Sequence, residues 1–160
     1  MKTLMLILWT VVAVVAVNGW TAAVEGAKEA AYRKELEKLT GTWQLVASEK
    51  DGVKGPEAKN KDIKIIFKGD KFTMERAGKT VEEGWVCIDP ASKPKVIDVY
   101  PTKPESKVVM GIYEWDGDDK FRLCGTHPGT EQTRPTLFST TKTTKGAGHV
   151  LTLVKREKTK

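Results

Sequence analysis

Only two cysteines and two histidines occur in the 160 residues, so most site chemistry has little to work with. A zinc centre needs several thiolate or imidazole ligands that converge. The nearest approach is Cys124-Gly125-Thr126-His127 with Cys87 joining across strands, while His149 is remote in sequence and no Cys-x-x-Cys-His haem attachment occurs. Neither a metal centre nor a cofactor is expected. Ser92, Ser106 and Ser139 lack the glycine-flanked elbow of a strained nucleophile, and two histidines leave little choice of base. No cysteine precedes Cys87, which excludes lipid attachment through an N-terminal thiol.

Arginine is also scarce. The chain carries 27 Lys and Arg against 21 Asp and Glu, a formal charge of +6, with lysine supplying most of the cations. Scattered lysine attracts polyanions loosely but lacks the rigid donor fork that reads phosphate or a base edge. Specific nucleic-acid recognition is not expected, and weak association with anionic envelope or lipid material is the most this charge implies.

The one long apolar run lies at the start. Lys2, an apolar stretch over residues 4–17 and small residues through Ala23 match a secretory signal peptide, and the run is shorter than the roughly twenty residues that span a bilayer. Cleavage is expected around Thr21-Ala22-Ala23, with Val17-Asn18-Gly19 second. The alternative is an uncleaved anchor with Trp9 and Trp20 at the interfaces. The expected location is therefore secreted or periplasmic, with the membrane serving only as export route or weakly bound surface. In such a compartment the lone pair Cys87 and Cys124 is expected to close as a disulfide, the alternative being two buried thiols on neighbouring strands.

Residues 24–40 form the next segment. Ala, Glu, Lys, Arg and Leu without proline over residues 22–39 predict an amphipathic helix, with Ala27, Ala31 and Leu39 near one side and Tyr32 and Leu36 close by. From Thr42 the apolar period becomes two: Trp43, Leu45 and Ala47; Ile63, Ile65 and Phe67; Phe72 and Met74. The polar stretch 55–61 reads as a loop. Further strands are expected at 80–88, 96–100, 108–115, 121–124, 136–140 and 150–155, with Asp116-Gly117-Asp118-Asp119 as a tight turn and a mobile connection over 140–148.

Eight or nine short strands after one helix predict an all-β meander over residues 41–160. Closing into an antiparallel barrel of about eight strands hides its edges; an open sandwich is the alternative. The expected interior is Trp43, Leu45, Ile63, Ile65, Phe67, Phe72, Met74, Trp85, Phe121, Leu123, Leu151 and Leu153.

Several segments in order carry a resemblance: LEKLTGTWQLVASEKDG at 36–52, KFTM at 71–74, DPASKPKVIDV at 89–99, GIYEWDGDDKFRLC at 111–124, RPTLF at 134–138 and LTLVKR at 151–156. Together they resemble an exported conserved domain of unknown function found in planctomycetes and related bacteria, itself lipocalin-like. The resemblance implies a small barrel in which Gly41-Thr42-Trp43 opens the first strand. It also implies that a basic residue of the last strand, Arg156 or failing it Lys155, lies over the indole. A guanidinium there gains roughly 1 to 2 kcal/mol when partly desolvated; the alternative is a tryptophan that only fills volume. A ligand does not transfer with the fold.

The best polar cluster joins Asp98 and Glu114, which share one side of the sheet, to Arg122 and Arg134 near a barrel mouth that Tyr100, Tyr113 and Trp115 could line. It would recognise a small polar or anionic ligand or simply clamp strands, and the barrel could take a small apolar ligand instead. The expected function is a non-enzymatic binding or interaction module, with a solid-cored envelope protein as the alternative and a small hydrolase as a more distant one.

Overall fold

The computed structural model describes residues 15–127, 133–141 and 148–157, with side chains from Ala23 onward. In chain order the elements are α1 (Val15–Leu39), β1 (Gly41–Lys50), β2 (Val53–Lys54), α2 (Glu57–Lys61), β3 (Ile63–Lys68), β4 (Lys71–Arg76), β5 (Lys79–Asp89), β6 (Lys95–Pro101), β7 (Val109–Trp115), β8 (Lys120–Thr126) and β9 (His149–Arg156). Of the expected signal segment, residues 1–14 lie outside the described residues, and α1 already begins at Val15. No helix among the described residues is long and apolar enough to cross a membrane.

Strands β1, β3, β4, β5, β6, β7, β8 and β9 form a closed ring of eight, each antiparallel to its neighbours. The seam pairs β1 with β9 from Trp43 opposite Arg156 to Lys50 opposite Val150. The two-residue β2 pairs with the end of β1. Ring closure removes the exposed strand edges that an open meander of this length would present. Gly117 takes a φ of 78° in the expected turn between β7 and β8, a conformation that costs glycine nothing.

Alternation decides the core. Trp43, Leu45, Phe67, Phe72, Val86, Ile88, Ile97, Tyr113, Phe121 and Val154 point inward and are buried, with Ile63, Ile65, Met74, Val99, Trp115 and Leu123 packed against them. Phe121 stands edge-on to Trp43, with ring centres 4.8 Å apart, and to Trp115 at 5.3 Å, the arrangement aromatic quadrupoles favour. The last turns of α1 plug this end of the barrel with Tyr32, Leu36 and Leu39, and Trp43 Nε1 donates to the Leu39 carbonyl at 2.7 Å. Ala27 and Ala31, expected on the packed side, are exposed.

Three of the expected interior residues lie outside. Trp85 is half exposed, because Gly84, Val86 and Ile88 face inward on β5. Leu151 and Leu153 pair with Cys124 and Arg122, whereas Val154 pairs with Phe121 and Leu45 in the core. A bulge between Leu45 and Ala47 sets this register: the extra Val46 turns Ala47 and Glu49 outward opposite Leu153 and Leu151.

Other expectations change too. Residues 57–61 are helical, not looped. Gln44 Nε2 donates to the carbonyls of Lys61 at 2.9 Å and Ile63 at 2.8 Å, and Ser48 bonds Asn60 at 2.8 Å, so β1 holds α2 in place. Residues 136–140 form no strand; they run as a strap across the outer face of the sheet. The connection expected over 140–148 falls for residues 142–147 outside the described residues, as do residues 128–132. Cys87 and Cys124 are both free. They sit on β5 and β8 with β6 and β7 between, about 14 Å at the usual strand spacing, twice the reach of a disulfide.

Candidate functional site

Glu35 links α1 to the barrel. Its Oε1 accepts from Lys95 Nζ at 2.5 Å, Trp115 Nε1 at 2.7 Å and Tyr113 Oη at 3.0 Å. Burial pushes the carboxyl up, but the bonds from Lys95, Trp115 and Tyr113 outweigh it and hold the group below its usual range. Burial, reinforced by the Glu35 charge, drives the Tyr113 phenol far up, so it remains a donor. Sequence reasoning passed over Glu35. Its signal was a charge on the helix face between Tyr32 and Leu39, where spacings of three and four residues share one side.

Asp98 and Glu114 do share a side of the sheet, as strand alternation predicts, and that side is the outer one. Each has its arginine. Arg134 grips Asp98 with two parallel bonds of 2.6 and 2.9 Å and donates to the Gly111 carbonyl at 2.9 Å. The Asp98 contact raises the guanidinium above its ordinary value, against the effect of burial. Arg122 pairs with Glu114 and stacks 4.5 Å from the centre of the Phe138 ring. These two clamps fix the strap over β6, β7 and β8. Beneath it Ile112 and Cys124 are buried, as is Pro135 where the strap begins, and Cys124 Sγ lies 3.7 Å from the Ser139 carbonyl. Burial pushes the Cys124 thiol up, away from reactive thiolate. The far end of the strap is tied by Thr140, which donates to Glu49 and accepts from Gly52 N at 3.0 Å.

Tyr113 and Trp115 do not join this cluster; they face inward to Glu35. Tyr100 is on the outer face but 41% exposed. The expected mouth therefore separates into an inner latch around Glu35 and an outer pair of clamps.

Beside the Arg122–Glu114 clamp the surface opens into a groove of about 780 Å³, within the range of small-molecule sites. Val46, Ala47, Leu151 and Leu153 supply its apolar lining. Glu49, Glu57, Glu114 and Asp116 contribute carboxylates, against Lys54 and Arg122 as cations. The bulge that turned Ala47 and Glu49 outward brings them beside Leu153 and Leu151, which face outward by alternation with the buried Val154.

His127 Nε2 lies 3.2 Å from Lys50 Nζ, and His149 Nε2 3.2 Å from the Thr133 carbonyl. Among the described residues no three His, Cys, Asp or Glu side chains gather as a metal site would require.

The fold and its surface define a closed eight-stranded antiparallel β-barrel with a helix-plugged end and an external groove. No protein family, curated protein or solved structure matches the chain.

Proposed function

We propose that this chain is an exported, non-catalytic binding module that uses the outside of its barrel as the binding surface. The observation that carries the reading is the groove at the β1–β9 seam, where an apolar lining meets an excess of carboxylates. That combination suits an amphipathic cation, whose hydrocarbon body covers Leu151 and Leu153 while its ammonium faces Glu49 and Asp116. The helix-plugged end of the barrel is filled by Trp43, Tyr113 and Phe121. Asp98 and Glu114 are each neutralised by an arginine, and a paired carboxylate makes a poor general base.

Export and membership of the lipocalin-like exported domain group belong to the same proposal. The Gly41-Thr42-Trp43 opening, the cation over Trp43 and the apolar leader support them.

Octylammonium and octanoate, titrated separately while backbone amide shifts are followed by NMR, test the groove. Octylammonium should move Ala47, Leu151 and Leu153, octanoate should move them far less, and Leu153→Asp should abolish the response at unchanged fold. Shifts confined to interior residues, or equal responses to both probes, would reject the groove as the ligand seat.

A further inference from the structure

We propose that the outer face of β5 and β6 is a glycan-stacking platform built from Trp85 and Tyr100, with a chain of neutral hexose rings as its ligand. The two residues oppose each other across the β5–β6 ladder, and both are exposed, at 50% and 41%. Among the described residues of the barrel interior, Trp43, Trp115, Phe67, Tyr113 and Phe121 form a connected set of ring contacts. Trp85 and Tyr100 stand outside that set, on the opposite face of the sheet, with ring surface left to water.

Their surroundings select the ligand class. Lys71 is the partner of Trp85 on β4, and Thr73 faces Glu83 in the next row. On the other side Asp98, two residues before Tyr100, is held by Arg134. The rim thus offers donors and acceptors of both signs: Lys71, Lys103 and Glu83 on one side and the Arg134–Asp98 pair on the other. A rim of mixed sign is no dedicated seat for a polyanion or polycation, yet it can bond hydroxyl groups. A hexose ring presents C–H faces to aromatic surface and hydroxyls around its edge, which matches two ring faces inside a mixed polar border. Both strands are paired on each side, so an extended peptide cannot add to the ladder here.

This site is separate from the groove and stands or falls without it. The test uses the full chain with cellohexaose, maltohexaose and chitohexaose, read from the Trp85 indole Nε1–H resonance and by calorimetry. At least one hexasaccharide should shift that resonance and bind about tenfold more weakly to Trp85→Ala and to Tyr100→Ala. Trp85→Phe should retain part of the affinity, and Leu153→Asp should leave it unchanged. Both aromatic positions are solvent-exposed, so the variants should melt as wild type. No binding of any of the three at millimolar concentration, or equal binding by the alanine variants, overturns the proposal. So does a Trp85 response to phosphatidylglycerol vesicles in place of the sugars, which would make the pair a membrane contact.

Discussion

The Arg156 guanidinium lies 4.2 Å from the centre of the Trp43 ring, and the two residues are register partners across the seam that closes the barrel. The same guanidinium donates to the Thr40 carbonyl at 2.7 Å and to the Lys38 carbonyl. It therefore covers the indole, satisfies carbonyls at the end of α1 and joins the first strand to the last. Gly41 makes room for it: a Cβ there would come 2.6 Å from Arg156 Nη1, at a φ of 136° that L residues rarely adopt.

Truncating this unit should be costly. Trp43→Ala is expected to lower stability by about 3 to 5 kcal/mol through lost packing, and Arg156→Ala by about 1 to 2 kcal/mol. Urea unfolding of both, and of the double variant, measures the coupling. A double-variant loss equal to the sum of the single losses would show that the two side chains act separately.

Gly41→Ala should destabilise although it adds only a methyl group, by about 1 to 3 kcal/mol from backbone strain and the displaced guanidinium. Gly26→Ala, on an exposed stretch of α1 with open space around it, should be neutral or slightly stabilising. Equal melting temperatures for the two variants would remove the steric account of Gly41.

The Glu35 latch predicts a pH dependence with a definite sign. Its carboxyl is held below the ordinary value of 4.5 in the folded state, so the stability it contributes is complete above that value. It is lost as pH falls through the folded-state pKa. Glu35→Gln should therefore melt below wild type at neutral pH, by about 1 to 3 kcal/mol, and the gap should narrow as pH drops below 4.5. A gap that stays constant down to pH 3 would mean that Glu35 contributes packing and not charge.

Thiol chemistry separates the two cysteines. Cys87 is exposed and Cys124 is sealed beneath the strap, so native protein should label once and unfolded protein twice with a maleimide, without prior reduction. Asp98→Asn weakens the Arg134 clamp and should speed Cys124 labelling while leaving Cys87 unchanged. An intact mass two daltons low with no labelling at all would restore the disulfide.

Alternation of apolar residues was enough to read the meander and most of the core, because period two along a strand is a local property. Strand parity also placed Asp98 and Glu114 on one side of the sheet with Arg122 and Arg134 as available partners, whereas the cation over Trp43 was only what the resemblance implied. The errors had another origin. Trp85 and Leu151 are apolar residues on outward positions, and hydrophobicity alone assigned them to the interior. Glu35 was overlooked because its three donors come from β6 and β7, about sixty to eighty residues away in the chain.

The chain by itself determined that β-strands would form and where most of them would turn, since these depend on neighbours along the backbone. Only the closed tertiary structure decided which side of the sheet met water. A single bulge after Leu45 shifts the facing of all that follows on β1, and the ring must then accept the register that lets Val154 meet Phe121. The outward leucines, the buried Cys124 and the strap follow from that closure, because side-chain facing in a sheet is set by pairing between strands.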